Sequence, residues 1–320
     1  MSIRVWAFFF FIGNFVSLYG YQISVATIFK DEDPYLKEWI EYHLMVGVDH
    51  FWLYNHENEI KEETYAILQP YIEKGIVELF KWPYRNGLIV DQRTSMTDAL
   101  RRAKGTTEWL ALIDTDEYIL PSSNKTILEC LNAHFSQASA VYMTWRNFGT
   151  GKITIPKGEP ILCRLVACAP RGHGYENNGK TIFRVKDVDC EAISYIHHVP
   201  LKSSGVYFYG DGVSIPKTAN GREPSLDGTS HHGYLRIHHY FLRDEWFFHN
   251  VKKPRLVQRG DTESRINEWY NDFLKDKDLT LVDYIIKYHP KKYKKIWKKF
   301  SIYGPGANLK GVQKRGLDKK

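Results

Sequence analysis

Two hydrophobic periods alternate along the N-terminal third of the chain. Gln22 to Phe29 is a β-branched, apolar run of strand length, whereas the next apolar positions, Leu36, Trp39, Ile40, His43 and Leu44, recur at the spacing of one helix face. Asp31-Glu32-Asp33-Pro34 puts a proline early in that helix, where its missing N–H costs nothing. His50 to Tyr54 reads as a second strand, Glu62 to Ile72 as a helix, Ile76 to Trp82 as a third strand and Asp91 to Lys104 as a helix; a fourth strand starts at Glu108. This βαβαβαβ order predicts one Rossmann-like α/β domain, with a doubly wound, mostly parallel sheet and a ligand site at the carboxyl ends of its strands.

The fourth strand carries the first chemistry. Trp109 to Ile113 is apolar and delivers Asp114, Asp116 and Glu117 to the point where the strand must end. Alternate side chains of an extended segment point to opposite faces, so only a turn brings both aspartates to one ion. Such a pair suits Mg²⁺ or Mn²⁺, which keeps open positions for substrate phosphates. Asp116 is the expected direct ligand, and Asp114 would bind a ribose or reach the metal through water. The competing reading is a run of acids that solvates a loop.

Later segments add candidates. Tyr234 to Tyr240 has strand length, and His239 in it offers a third metal ligand, or is simply packed; His238 should face the other way. Ala138 to Thr144 reads as an apolar strand followed by Trp145 and Phe148, which either stack on a ligand or join the core. Arg146 and Lys180 could pair with phosphates or be solvated. A general base would come from Glu191, His197, His198 or Asp211, none of them singled out by spacing. Ser122-Ser123-Asn124 is the expected cap of a helix around Thr126 to Phe135.

Composition changes the picture at the ends. With 320 residues, 43% hydrophobic and 15% aromatic, the chain can bury one large core. Its net charge of +7 is misleading, because Pro290 to Lys320 holds eleven Lys and Arg against one Asp, a net +10 that leaves the rest at −3. A basic nucleic-acid binder is thereby excluded for the body. Arg4 precedes a mostly apolar stretch from Val5 to Leu18, the length of a signal-peptide core and short for a membrane span. The expected division is a signal or membrane anchor over 1–21, a catalytic domain over 22–285 and a basic tail over 286–320. In that tail Tyr293, Ile296, Trp297 and Phe300 recur at helical spacing between lysine pairs, a pattern for a membrane surface or for docking on the body. Cys130, Cys163, Cys168 and Cys190 are spaced unlike a zinc site and are open to either free thiols or two disulfides.

Several blocks together carry a resemblance. Lys37-Glu38-Trp39-Ile40-Glu41-Tyr42-His43, Gly47-Val48-Asp49-His50-Phe51, Pro70 to Gly75, Gln92, Trp109 and Asp114 to Tyr118 resemble glycosyltransferase family 92. Trp145 to Gly151, Lys180-Thr181-Ile182, His197-His198 and Ile237-His238-His239-Tyr240 follow in the same order, so the similarity runs from about Ile23 to Arg255. It implies a GT-A fold and metal-dependent, inverting transfer of a sugar from a nucleotide sugar, with UDP-galactose the best-known donor. Expected metal ligands are Asp114, Asp116 and His239; expected nucleotide-sugar contacts are Asp114, Gln92, Arg146 and Lys180; the base candidates are Asp211, Glu191 and His198. The acceptor would be a glycan or glycolipid at a membrane. Two stretches depart from the family pattern, Tyr54 to Glu59 after the second strand and Phe241 to Trp246 after His-Tyr. A non-catalytic glycan binder and a metal-dependent nucleotidyltransferase are the other function classes.

Overall fold

The computed structural model describes residues 20–85 and 87–299. The expected signal or anchor lies outside them except for its last two positions. Strands β1 (Tyr21–Phe29), β2 (His50–Asn55), β3 (Val77–Lys81) and β4 (Thr107–Leu112) alternate with helices α1 (Asp33–Met45), α2 (Glu62–Ile72) and α3 (Leu88–Ala103). The four strands lie parallel in the order β3-β2-β1-β4, as the alternation predicts. Helices cover both faces. Val25, Phe51 and Leu53 pack under α1 and α2, while Ala26, Trp52 and Leu110 pack under Met96, Ala99 and Leu100 of α3. Strands buried on both sides become near-continuous apolar runs, which is why they read clearly in sequence.

Beyond β4 the topology changes. The chain turns through Asp114 and Asp116 into β5 (Glu117–Pro121), which leaves the main sheet, and α4 (Ile127–His134) follows. Thr126 caps α4 in a capping box with Glu129, so the cap lies one turn later than the expected serines. β6 (Ala140–Asn147) and β8 (Gly179–Arg184) continue the sheet, with the two-residue β7 (Ala167–Cys168) between them in sequence. β8 is antiparallel to both β4 and β6. Gly179 opens β8 against Met143, where any added Cβ would collide with the backbone of β6. β9 (Tyr207–Tyr209) and β10 (Ser214–Ile215) complete that edge, and β11 (Leu235–His239) lies between β6 and β5, parallel to one and antiparallel to the other.

The C-terminal third folds back over the sheet. Helical turns α5 (Glu245–Phe247) and α6 (Lys253–Arg259) are joined by a π-helical turn at Phe248–Lys252; α7 (Glu263–Asp272), strand β12 (Asp276–Lys277) and α8 (Thr280–Tyr288) follow. The chain stays packed on the body past residue 286. Tyr293 and Trp297 belong to the main core, and the Trp297 indole donates to Glu38 Oε1 at 2.7 Å. Burial pushes the Glu38 carboxyl up to about 7 despite the three N–H groups it accepts, from Trp297, Ile161 and Leu162. The described part of the tail's apolar stripe, Tyr293, Ile296 and Trp297, therefore packs on the body. Among the described residues no helix is long and apolar enough to cross a membrane, and all four cysteines are free thiols.

Candidate functional site

Register explains how distant residues meet. In the β5–β11 ladder His239 stands opposite Glu117, one position from Asp116, and in the β6–β11 ladder it stands opposite Asn147. The Tyr240 N–H donates to the Asp116 carbonyl at 2.8 Å and fastens the end of β11 to the aspartate turn. His239 Nε2 then lies 3.5 Å from Asp116 Oδ1. Its other ring nitrogen, Nδ1, is 3.0 Å from Asn147 Oδ1. In the tautomer protonated on Nδ1, that nitrogen donates to the amide oxygen and Nε2 presents its lone pair toward the carboxylate. His238 points away, as alternation requires, and packs on Phe148 in the core.

Asp114 is held separately. Gln92 of α3 donates to its Oδ1 at 2.9 Å, and Lys180 of β8 places Nζ 3.0 Å from its Oδ2. Lys180 is only 1% exposed. Burial works to strip its proton, but Asp114 and Glu117 outweigh that and keep the ammonium above its ordinary value. Glu117, fully buried, accepts the Asp114 N–H at 2.8 Å. Its burial pushes the carboxyl well up, more than Lys180 pulls it down.

Asp116 has a different environment. Burial opposes its ionisation, yet Lys252 and His239 together hold the carboxyl well below the usual range. Lys252 Nζ is 3.3 Å from Asp116 Oδ2. His239 is kept neutral by burial first and by Lys252 second, against the pull of Asp116. With Nδ1 donating to Asn147, the Nε2 lone pair and the ionised carboxylate would together hold a cation between them, and the Asn147 contact would fix the ring as partners of metal-bound histidines do. Among the described residues no three His, Cys, Asp or Glu side chains close a complete metal cage. The residues fit an ion that takes two protein ligands and leaves its remaining positions to substrate oxygens.

These groups line one cavity of about 380 Å³ at the carboxyl ends of β1 and β4, walled by Trp145, Phe241 and His197. Four expected site residues, Gln92, Asp114, Lys180 and His239, line it directly, and Asp116 touches it through His239 and Lys252. Arg146 does not. It is buried in a network with Glu176, Asp276 and Asp278, at 2.5, 3.3 and 3.0 Å, so no donor nitrogen is left for a phosphate. Of the base candidates, Glu191 sits on the surface in an ion pair with Lys104, and Asp211 is paired with His231 at 2.8 Å. His198 packs beside Tyr195, also outside the cavity lining. Its neighbour His197 is the one that lines it; Nδ1 donates to the Gly179 carbonyl at 2.7 Å, and burial with the Lys180 charge lowers its pKa to about 4.

Sequence reasoning missed Lys252, Arg243 and His56. Arg243 donates to the Thr115 carbonyl, the middle of the aspartate turn, and pairs with Glu32. It lies in the stretch where the family pattern breaks, which was the available signal. His56, in the other departing stretch, lines the cavity and is held by Asp91 at 3.1 Å. Lys252 had no signal beyond a short basic run.

A paired-carboxylate turn at the carboxyl end of a doubly wound sheet, beside a buried histidine and several cations, defines an α/β protein with one candidate ligand site. A model of glycosyltransferase family 92 matches residues 19–296, and the chain belongs to that family. A family 92 protein of Oryza sativa subsp. japonica is 26% identical over 204 residues, 61% of this chain and 32% of the relative. Galactan beta-1,4-galactosyltransferase GALS3 of Arabidopsis thaliana is 28% identical over 120 residues, 34% and 23% of the two chains. The chain thus spans a third or less of the length of these curated relatives. Among solved structures, S. aureus TarS 1-349 in complex with UDP is similar with 12% identity and a TM-score of 0.34, over 85% of this chain and 74% of that one.

Proposed function

We propose that this chain transfers a hexose from a UDP-linked donor to a glycan hydroxyl with inversion, assisted by Mn²⁺ or Mg²⁺. The observation that carries the reading is that His239, far from the aspartate turn in sequence, meets Asp114 at one cation-rimmed cavity with Asp116 beside it. Asp116 and His239 would hold the metal; Asp114, tied to Lys180 and Gln92, would bind the ribose or reach the metal through water. A divalent ion there supplies Lewis-acid neutralisation of the departing diphosphate, worth several kcal/mol. The bond from the anomeric carbon to phosphate oxygen breaks with its electron pair on the diphosphate, while the acceptor oxygen bonds from the opposite face. His197, whose Nε2 lone pair is free once Nδ1 donates to Gly179, takes the acceptor proton. The kinship with a galactosyltransferase supports galactose as the sugar. The first 21 residues act as a signal or membrane anchor, which brings the enzyme to glycan or glycolipid acceptors.

The test is a panel of UDP- and GDP-sugars with Mn²⁺, read by release of nucleoside diphosphate. Turnover is expected with a UDP-hexose, and Asp116→Asn abolishes it while the thermal midpoint stays near wild type. Undiminished turnover in excess EDTA overturns the metal-assisted reading. Release of pyrophosphate instead identifies a nucleotidyltransferase, and glycan binding without turnover identifies a binding protein.

A further inference from the structure

The helical run that carries Lys252 is widened for a definite reason. Pro254 has no N–H to give the Asn250 carbonyl and its ring crowds that oxygen, so the preceding turn relaxes and the Lys253 N–H bonds to Phe248 instead. Lys252, Arg255 and Arg259 consequently line the cavity from one side. Arg255 is paired with Asp31 at 2.7 Å, and Arg259 donates from Nε to Asp261 at 2.7 Å. Lys180 is committed to Asp114. Lys252 is the cation set against Asp116 itself, with Nζ 3.3 Å from Oδ2 and 3.9 Å from the centre of the Phe241 ring.

A metal held by Asp116 and His239 would share that carboxylate with the ammonium, since His239 faces Oδ1 and Lys252 faces Oδ2. A divalent ion on the carboxylate would repel the ammonium, and a four-carbon stem lets the ammonium move without the backbone. We propose that Lys252 is a catalytic residue with two stations: it neutralises Asp116 while the cavity holds no donor, then transfers its ammonium to the diphosphate when the metal takes the carboxylate. The proposal rests on the donor reading above. Phe241 fits both stations, since its ring face attracts the ammonium without fixing its direction.

Competition for one carboxylate can be measured without turnover. Mn²⁺ binding to nucleotide-free protein is followed by the paramagnetic resonance of free Mn²⁺, and UDP binding by calorimetry with Mn²⁺ and with EDTA. Lys252→Met should bind Mn²⁺ alone about tenfold more tightly, because a competing charge is gone, yet bind UDP in saturating Mn²⁺ about tenfold more weakly, the size of one lost charge-assisted hydrogen bond. Lys252→Arg should recover the UDP affinity, and Lys252→Gln should follow the Met variant, which separates charge from shape. Mn²⁺ affinity that is unchanged or weaker in Lys252→Met overturns the proposal, as does wild-type UDP affinity in that variant. If the Mn²⁺ effect is present but even wild type binds no UDP, the second station is overturned together with the donor reading, and the competition at Asp116 stands.

Discussion

The Arg243 guanidinium donates from Nη2 to the Thr115 carbonyl at 2.7 Å and lies 2.8 Å from Glu32 Oε2. One side chain thereby fixes the peptide between the two aspartates to the start of α1. Arg243 does so from a left-handed backbone conformation, φ 57°, which costs a non-glycine residue about 1–2 kcal/mol. The position that resemblance alone marks as a departure is a strut for the aspartate turn.

Removing that strut should be expensive. Arg243→Met leaves Glu32 as a buried acid whose principal counter-charge is gone, and breaking a buried pair costs roughly 3–5 kcal/mol. Denaturant unfolding should show a loss of that size, and Glu32→Gln added to it should restore part. If the double variant is as unstable as the single one, the pair is not the cause.

His239 and His238 should separate cleanly. His239→Ala is expected to weaken Mn²⁺ and UDP binding together and to regain part of its rate at raised Mn²⁺, because imidazole and carboxylate face the same point. His238→Ala should leave Mn²⁺ dependence unchanged and cost stability, since it empties a core position against Phe148. Mn²⁺ titrations of both variants decide; identical behaviour would return His239 to a packing role.

His43 gives a pH dependence with a definite sign. It is fully buried, with Nδ1 2.8 Å from the Trp39 carbonyl, and burial lowers its pKa from 6.5 to about 3. Above pH 6.5 neither folded nor unfolded chain protonates it, so it contributes no slope. As pH falls from 6.5 towards 3 the unfolded chain takes up a proton that the folded chain refuses, and stability drops by on the order of a few kcal/mol. His43→Gln should flatten the fall of the thermal midpoint across that window. An equally steep fall in the variant assigns the acid lability elsewhere.

The parallel half of the sheet was legible because burial on both faces leaves little choice of residue: α2 has the bounds its pattern predicts, and β1 to β4 shift by a residue or two at their ends. The aspartate turn was legible too, since three acids after an apolar run need a reason. What could not be read was decided by register between distant segments. Arg146 and Lys180 look alike as lone basic residues on strands, yet Arg146 meets Glu176 and Asp278 in the interior while Lys180 meets Asp114 at the cavity. Nothing local distinguishes them. Likewise His197 and His198 are adjacent, and only the fold says which of them lines the cavity.

The contact between Glu38 and Trp297 spans 259 positions, from α1 to the turn after α8. A chain emerging from the ribosome has its parallel sheet in hand long before that indole appears, so Glu38 must wait as a carboxyl without its lid. Completion of that core is thus postponed until residue 297 has been made. A premature stop between residues 252 and 297 would leave a protein with every proposed metal and donor residue present and its core still open.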